Sequence, residues 1–360
     1  VKLLVSALEH SANIHLKELC RQMGGDVELS GIFDASLGEP VADLRSLAVM
    51  GFVDAIRKAP FFFGLAGQMT ELAAEADKVL LMDSSAFNLP LAGKIRKRFP
   101  EKEIVYYVLP QAWAWRKGRI PALARTCDRL LSILPFEPGH YPEHAPIEYV
   151  GHPLLDEIRR FKAPDTISRP PALMRQSIAY LPGSRRGEIR QLMPLFHRVR
   201  EALPPHRARI VIPPYFTSGQ IRELYGDLDE FEITHDTHST LYESDFAFIC
   251  SGTATLEAAL IGTPFVLGYR AKALDAFLVR SLTDLRHAGL ANIFSMDFQG
   301  RPMHEELLQE RLTTENLIRS YHFFDYGRYA EDVQKLREYL RHGSSERVAE
   351  ILESKSGRRN

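Results

Sequence analysis

Phe246-Ala-Phe-Ile-Cys-Ser-Gly-Thr-Ala-Thr-Leu-Glu257 changes character halfway along. FAFIC is a short unbroken apolar run, the pattern of a strand buried on both faces of a sheet. Ser251 and Gly252 interrupt it, and Thr253 opens a segment that reads as a helix. Hydroxyls and a glycine at a helix N-terminus leave backbone N–H groups and the helix dipole facing an anion. Glu257 lies about one turn in. There it either accepts hydrogen bonds from a ribose diol or merely complements the dipole.

The same grammar occurs upstream. Ala179-Tyr-Leu-Pro-Gly-Ser-Arg185 leaves the strand SIAYL and opens a helix near Arg186-Gly-Glu188. Gly183 permits a tight turn, the N–H groups near Ser184 face outward, and Arg185 adds a planar cation suited to phosphate oxygens. The bland alternative is an ordinary turn with a solvated arginine. Neither stretch is a Walker loop, since neither has GK[ST] at the required spacing. Two anion-ready turns in one half suggest a nucleotide diphosphate held by both. Asn292, in GLANIF, offers an amide that either reads a base edge or closes its own turn.

Short apolar runs alternate with amphipathic segments along the whole chain, which argues for parallel sheets with crossover helices. The strand candidates are KLLVSA, VELSGIF, KVLLMD, EIVYYVL, RLLSILP and IEYVG, then SIAYLPG, ARIVIPP, FEITHD, FAFICSG and PFVLGYR. HLKELCRQM is a helix between the first two. FKAPDTISRPPALMR has no period and reads as a linker. The expected domains are residues 1–162 and 172–324, with a helical tail over about 325–360 returning to the first.

The chain has 360 residues, with 45 Lys+Arg against 46 Asp+Glu, and this balance argues against a general nucleic-acid binder. Cys20, Cys127 and Cys250 form no CxxC and read as core residues of a reducing compartment. No apolar run reaches the ~18–20 residues of a membrane span. VKLLVSALEH reads as a strand rather than a signal peptide. A cytoplasmic enzyme or binding protein is the expectation. Metal-binding spacings are absent, and the DxD of Asp227 and Asp229 lies in an acidic surface stretch. No metal is implied.

In the first half, Leu8-Glu-His-Ser-Ala-Asn13 follows the first strand. Glu9, His10 and Ser11 on one turn suit acid–base work, whereas Ser11 or Asn13 would serve equally as a helix cap. Met82-Asp-Ser-Ser-Ala-Phe-Asn88 occupies a second strand-to-helix turn. Gln111-Ala-Trp-Ala-Trp-Arg-Lys-Gly-Arg119 sets both tryptophans among three cations. Phe61-Phe-Phe63 stands behind Arg57 and Lys58, and one helix face cannot bury all three rings. The tryptophan stretch suits a phosphorylated amphiphile, a membrane surface or a nucleic acid, or else core tryptophans beside a solvated basic turn. The phenylalanines suit an acyl chain or membrane contact, or else a buried interhelical plug.

Taken together these pieces resemble the lipid-A-disaccharide synthase family, glycosyltransferase family 19. The matching positions span nearly the whole chain: Glu9 and Ser11, Val49-Met-Gly51, Asp83 with Phe87-Asn88, Trp113-Ala-Trp-Arg116, Leu134-Pro-Phe-Glu137 and Gly151-His152. They continue with Leu181-Pro-Gly-Ser-Arg185, Ser251-Gly-Thr253 with Glu257, Gly268-Tyr-Arg270 and Asn292. The resemblance implies an α/β chain of the GT-B type, two Rossmann-like domains facing a cleft. The first would take the acceptor and face the membrane, and the second would bind the UDP-sugar.

The resemblance also implies inverting transfer of 2,3-diacylglucosamine from its UDP derivative to 2,3-diacylglucosamine 1-phosphate (lipid X). UDP leaves and a β(1→6) disaccharide forms. No cofactor is implied, because the UDP-sugar is the donor substrate. The family works at the inner face of the cytoplasmic membrane as a peripheral protein. That would give Asn88, Trp115, Arg116 and the phenylalanines a substrate-facing or lipid-facing reason. The C-terminal helix would dock in its own chain or swap into a partner's in a homodimer.

The chain departs from the family at two carboxylates. Its usual D-x-P-D-F-N has Ala86 at the second Asp, and its usual G-E-x-S-G-D has Asn13 at the last position. Either the base has moved, to Asp83 or His10 beside Glu9, or turnover is impaired. The alternatives are thus a UDP-sugar-binding protein with impaired turnover and a GT-B UDP-N-acetylglucosamine 2-epimerase. The departing diphosphate would be met by Arg185 and the helix N-termini near Ser184 and Thr253.

Overall fold

The computed structural model describes residues 1–43, 59–115, 117–170, 176–270 and 287–354. Every apolar run named above is a strand, and β4 (Lys78–Met82), β5 (Glu103–Tyr107), β8 (Ser177–Leu181) and β11 (Phe246–Cys250) are buried at every position. Both faces are covered, as in parallel sheets flanked by helices.

The chain divides into two compact units, 1–157 with 340–360, and 158–339. The first holds a parallel sheet in the order β3-β2-β1-β4-β5-β6-β7. The remaining strands of this sheet are β1 (Lys2–Ala7), β2 (Glu28–Phe33), β3 (Ala42–Asp43), β6 (Arg129–Ser132) and β7 (Ile147–Tyr149). The second holds β10-β9-β8-β11-β12-β13, with β9 (Arg207–Val211), β10 (Glu232–Thr234), β12 (Phe265–Tyr269) and β13 (Glu306–Leu308). Each contains the doubly wound order, in which the chain reverses direction across the sheet between β1 and β4, or between β8 and β11. The short β3 and β13 carry too little apolar pattern to be read from sequence.

Strand alternation divides the first core. Leu4, Val79, Leu81, Ile104 and Tyr106 face one layer, with α2 (Ala59–Leu72), α3 (Ser85–Arg98) and, beyond α4 (Ala112–Trp115), α5 (Ile120–Thr126). Leu3, Val5, Leu80, Val105 and Tyr107 face the other, with α1 (His10–Gln22) and the last helix. The tail is two helices. Residues Tyr326–Leu340 belong almost wholly to the second unit, and Ser344–Glu353 packs on α1 in the first. Buried Lys78 fixes that packing by donating to Ile351 O and Ser354 O at the helix end, both 2.8 Å away.

The linker segment is partly ordered, with a helical turn at Pro164–Ile167; residues 171–175 lie outside the described part. No described helix is long and apolar enough to cross a membrane.

Candidate active site

Ligands of doubly wound sheets bind beyond the carboxyl ends of the strands where the order reverses. In the first unit that point lies between β1 and β4, whose register pairs Ala7 with Met82. The next residues, Leu8-Glu9 and Asp83-Ser84, are therefore brought together by the sheet. The carboxyls of Glu9 and Asp83 share a hydrogen bond.

The turn after β4 is held against its own preferences. Asp83 and Ser84 have φ of 58° and 39°, left-handed values unusual for consecutive non-glycine residues. The Asp83 N–H donates to Val108 O at 3.1 Å. The Tyr106 hydroxyl donates to Asp83 O. The Asn88 amide donates to Met82 O at 2.9 Å and Asp83 O at 3.0 Å, and its oxygen accepts from Ser6 Oγ at 2.6 Å. Asn88 is fully buried, so its expected substrate contact is replaced by a structural one: it clasps the strained turn. Burial holds the Asp83 carboxyl above its usual range; the Ser84 N–H, the Glu9 carboxyl and the charge of His15 draw it back.

Asn13 also differs from its sequence reading. The helix begins at His10 with Glu9 as uncapped N-cap, so neither Ser11 nor Asn13 caps it. The buried Asn13 amide donates to Ala7 O at 2.9 Å and Glu9 O at 2.8 Å, and accepts from the Asp34 N–H at 2.7 Å. A carboxylate here would face two carbonyl oxygens with nothing to donate. His10 is exposed and Ser11 half-buried on the first turn. Ala86 is exposed on the first turn of α3, and the Arg119 guanidinium donates to neighbouring Ser85 Oγ. Of the WAWR stretch, Trp113 packs against Phe136 and His140, the Trp115 side chain is not among the described atoms, and Arg116 lies outside the described residues.

In the second unit the turns after β8 and β11 meet in one hollow of ≈ 320 Å³. Gly183, Ser184, Arg185, Ser251, Gly252 and Thr253 all line it. Gly183 has φ 95°, and a Cβ there would lie 2.8 Å from Glu188 Oε2. Only glycine fits. The helices it serves, α8 (Arg186–Ala202) and α11 (Thr253–Ile261), have no side-chain cap, which leaves their N-termini to an incoming anion. Arg185 is largely exposed, 3.1 Å from Glu188. Glu257 lies 3.5 Å from the His238 imidazole, which no motif had singled out.

Asn292 does not face the hollow as a free reader of bases. It is completely buried, donating to His304 O and Glu306 Oε1 and accepting from the N–H groups of Met303 and His304. All its capacity is spent inside the fold. Asp227 and Asp229 form an exposed turn joined by a 3.0 Å backbone bond. Among the described residues no cluster of metal-ligating side chains occurs. A larger hollow of ≈ 460 Å³ lies among Met303–Glu305 and Phe323–Arg328, near the amino end of β13 and away from these turns.

The family model described as lipid-A-disaccharide synthetase matches residues 3–351. The chain belongs to the lipid-A-disaccharide synthase family. The Helicobacter pylori strain J99 lipid-A-disaccharide synthase is 45% identical over 362 residues, covering 97% of both chains. Membership makes the chain a glycosyltransferase. Among solved structures, Acinetobacter baumannii MurG superposes with a TM-score of 0.58 at 15% identity, over 98% of both chains. A UDP-GlcNAc 2-epimerase from Neisseria meningitidis, bound to UDP-GlcNAc, superposes with 0.57 at 11% identity, again over 98% of both. These likenesses establish the GT-B fold alone and do not separate transferase from epimerase. The 45% relative and the family model favour the transferase.

Proposed function

We propose that the chain moves 2,3-diacylglucosamine from its UDP derivative to the 6-hydroxyl of lipid X, releasing UDP with inversion. The second unit takes the donor: the N-termini of α8 and α11 and Arg185 receive the diphosphate, and Glu257 with His238 receives the ribose. The first unit takes the acceptor. There the Glu9–Asp83 pair acts as the base absent at Ala86. The uncapped start of α3, with Arg119 beside Ser85, suits the acceptor's phosphate.

As the acceptor oxygen bonds to C1 of the donor sugar, its proton passes to a carboxylate oxygen of the pair. The C1–O bond to the diphosphate breaks on the opposite face, and the helix termini stabilise the charge. No metal is assigned a role. A lipid-facing surface is supported by α2, where Phe61 and Phe63 are 44% and 68% exposed and Lys94 stands 5.5 Å from the Phe63 ring centre. Phe62 turns inward onto Phe87.

The observation that carries this reading is the Glu9–Asp83 pair at the reversal point of its sheet. The test mixes full-length protein, UDP-2,3-diacylglucosamine and lipid X in detergent, and measures UDP and disaccharide. Asp83→Asn keeps the Ser84 contact and should lower turnover ~10²–10⁴-fold. Unchanged turnover would reject the assignment. UDP binding without product in the parent protein would instead favour a binding protein.

A further inference from the structure

The withdrawal of Asn292 into the fold leaves the base of the UDP donor unread, although its phosphates and ribose have partners. Sheet order shows where the base would go. The diphosphate turns follow β8 and β11, while Glu257 on α11 meets His238 on α10 (Thr237–Tyr242), the helix after β10. A nucleotide with its phosphates at β8 and its ribose against α10 carries its base toward the carboxyl ends of β9 and β10. Pro213 and Thr237, which follow those two strands, line the same hollow as the phosphate turns.

Several polar side chains along that edge are already spent. His235 Nδ1 is hydrogen-bonded to Ile212 O at 2.7 Å, which ties the end of β10 to the end of β9. Asp236 caps α10, accepting from the Ser239 N–H at 3.1 Å and from Ser239 Oγ at 2.7 Å. Thr234 Oγ1 and Thr240 Oγ1 bond each other at 2.8 Å. What the edge offers instead is a ring. Tyr215, in the loop after β9, is 65% exposed. Its hydroxyl donates to Ser184 O at 3.2 Å, and Ser184 lines the hollow. Its ring centre stands 4.9 Å from that of Phe216, which packs edge-on against buried Tyr225 at 6.1 Å. The hydroxyl and the neighbouring ring thus hold an exposed aromatic side chain in place, and little ordering is left for a ligand to impose.

We propose that Tyr215 is the platform on which the base of the donor nucleotide stacks. Every base has a π-face, and a positioned aromatic ring binds it without reading its edge. Tyr215 hangs on the carbonyl of the very turn that takes the diphosphate, so base and phosphates meet one continuous surface. This role rests on the second unit being the UDP-sugar site. The contact is remote from the bond that breaks and acts alike before and during transfer. It therefore belongs to KM for the UDP-sugar, with kcat kept.

The test measures UDP affinity by calorimetry in the full-length parent, Tyr215→Phe and Tyr215→Leu, with inorganic pyrophosphate as a competitor that has no base. Tyr215→Phe keeps the ring and should bind UDP within about threefold of the parent. Tyr215→Leu should weaken UDP by about fivefold or more and leave pyrophosphate unchanged, with a matching rise in KM for the UDP-sugar. UDP affinity in Tyr215→Leu equal to that of the parent would overturn the platform. So would equal losses in the phenylalanine and leucine variants, or a loss for pyrophosphate as large as that for UDP; either would mean that the hydroxyl only braces the turn at Ser184. A parent that does not bind UDP would overturn the donor site itself, and this role with it.

Discussion

Replacing Asn13 by Asp restores the carboxylate that the family usually carries, and the structure says this chain should reject it. The amide is 5% exposed and spends both donor bonds on Ala7 O and Glu9 O. Aspartate keeps the bond from Asp34 but turns an oxygen on the two carbonyls. Glu9 O keeps the Asn13 backbone N–H at 3.2 Å, whereas the buried Ala7 O bond is lost outright. A buried carbonyl left without a donor costs about 1–3 kcal/mol, so the ionised variant should lose about that much. Protonation restores one donor and relieves most of it.

The folded protein would therefore hold the new carboxyl's proton more tightly than the unfolded chain, raising its folded-state value. Stability is then best at low pH and lost as pH rises through that value. Urea unfolding followed by circular dichroism should show a larger loss at about pH 8 than at about pH 5. A variant as stable as the parent at the higher pH would refute the reasoning. It would mean that the turn is free to hold either group.

Three further perturbations probe other parts. Gly183→Ala puts a methyl 2.8 Å from Glu188 Oε2 at φ 95°; UDP affinity by calorimetry should fall by roughly tenfold or more, and unchanged affinity would free this turn of its assigned role. Arg119→Ala should raise the KM for lipid X with a smaller effect on that for the UDP-sugar, as steady-state kinetics with each substrate varied would reveal. Glu137, fully buried, is raised by burial to about 7, so between its unfolded value near 4.5 and about 7 the parent loses stability as pH rises. Glu137→Gln has no such proton to lose and should be up to about 3 kcal/mol more stable than the parent at about pH 8, read from urea midpoints.

Local order was legible where a residue's part depends on its chain neighbours. The apolar runs gave the strands, because a strand buried on both faces must be apolar throughout. Gly183 and the hydroxyls after FAFIC gave the anion-ready turns, because a glycine turn into an uncapped helix has the same chemistry in any fold. The three phenylalanines were bound to divide between surface and interior, and they do so with Phe62 inward. β13 escaped notice, and with it Glu306, which occupies Asn292.

What the sequence by itself determined is therefore the alternation of strand, turn and helix, and the kinds of group each turn offers. Tertiary structure decided which turns meet and which polar groups remain free to act. Pairing of β1 with β4 sets Glu9 beside Asp83, and packing of α1 on the short helix Pro153–Glu157 joins His15 to Glu157. The same packing withdraws Asn13, Asn88 and Asn292 by giving their amides internal partners. A buried amide must satisfy its hydrogen bonds, and its partners here come from distant segments whose approach no local pattern records.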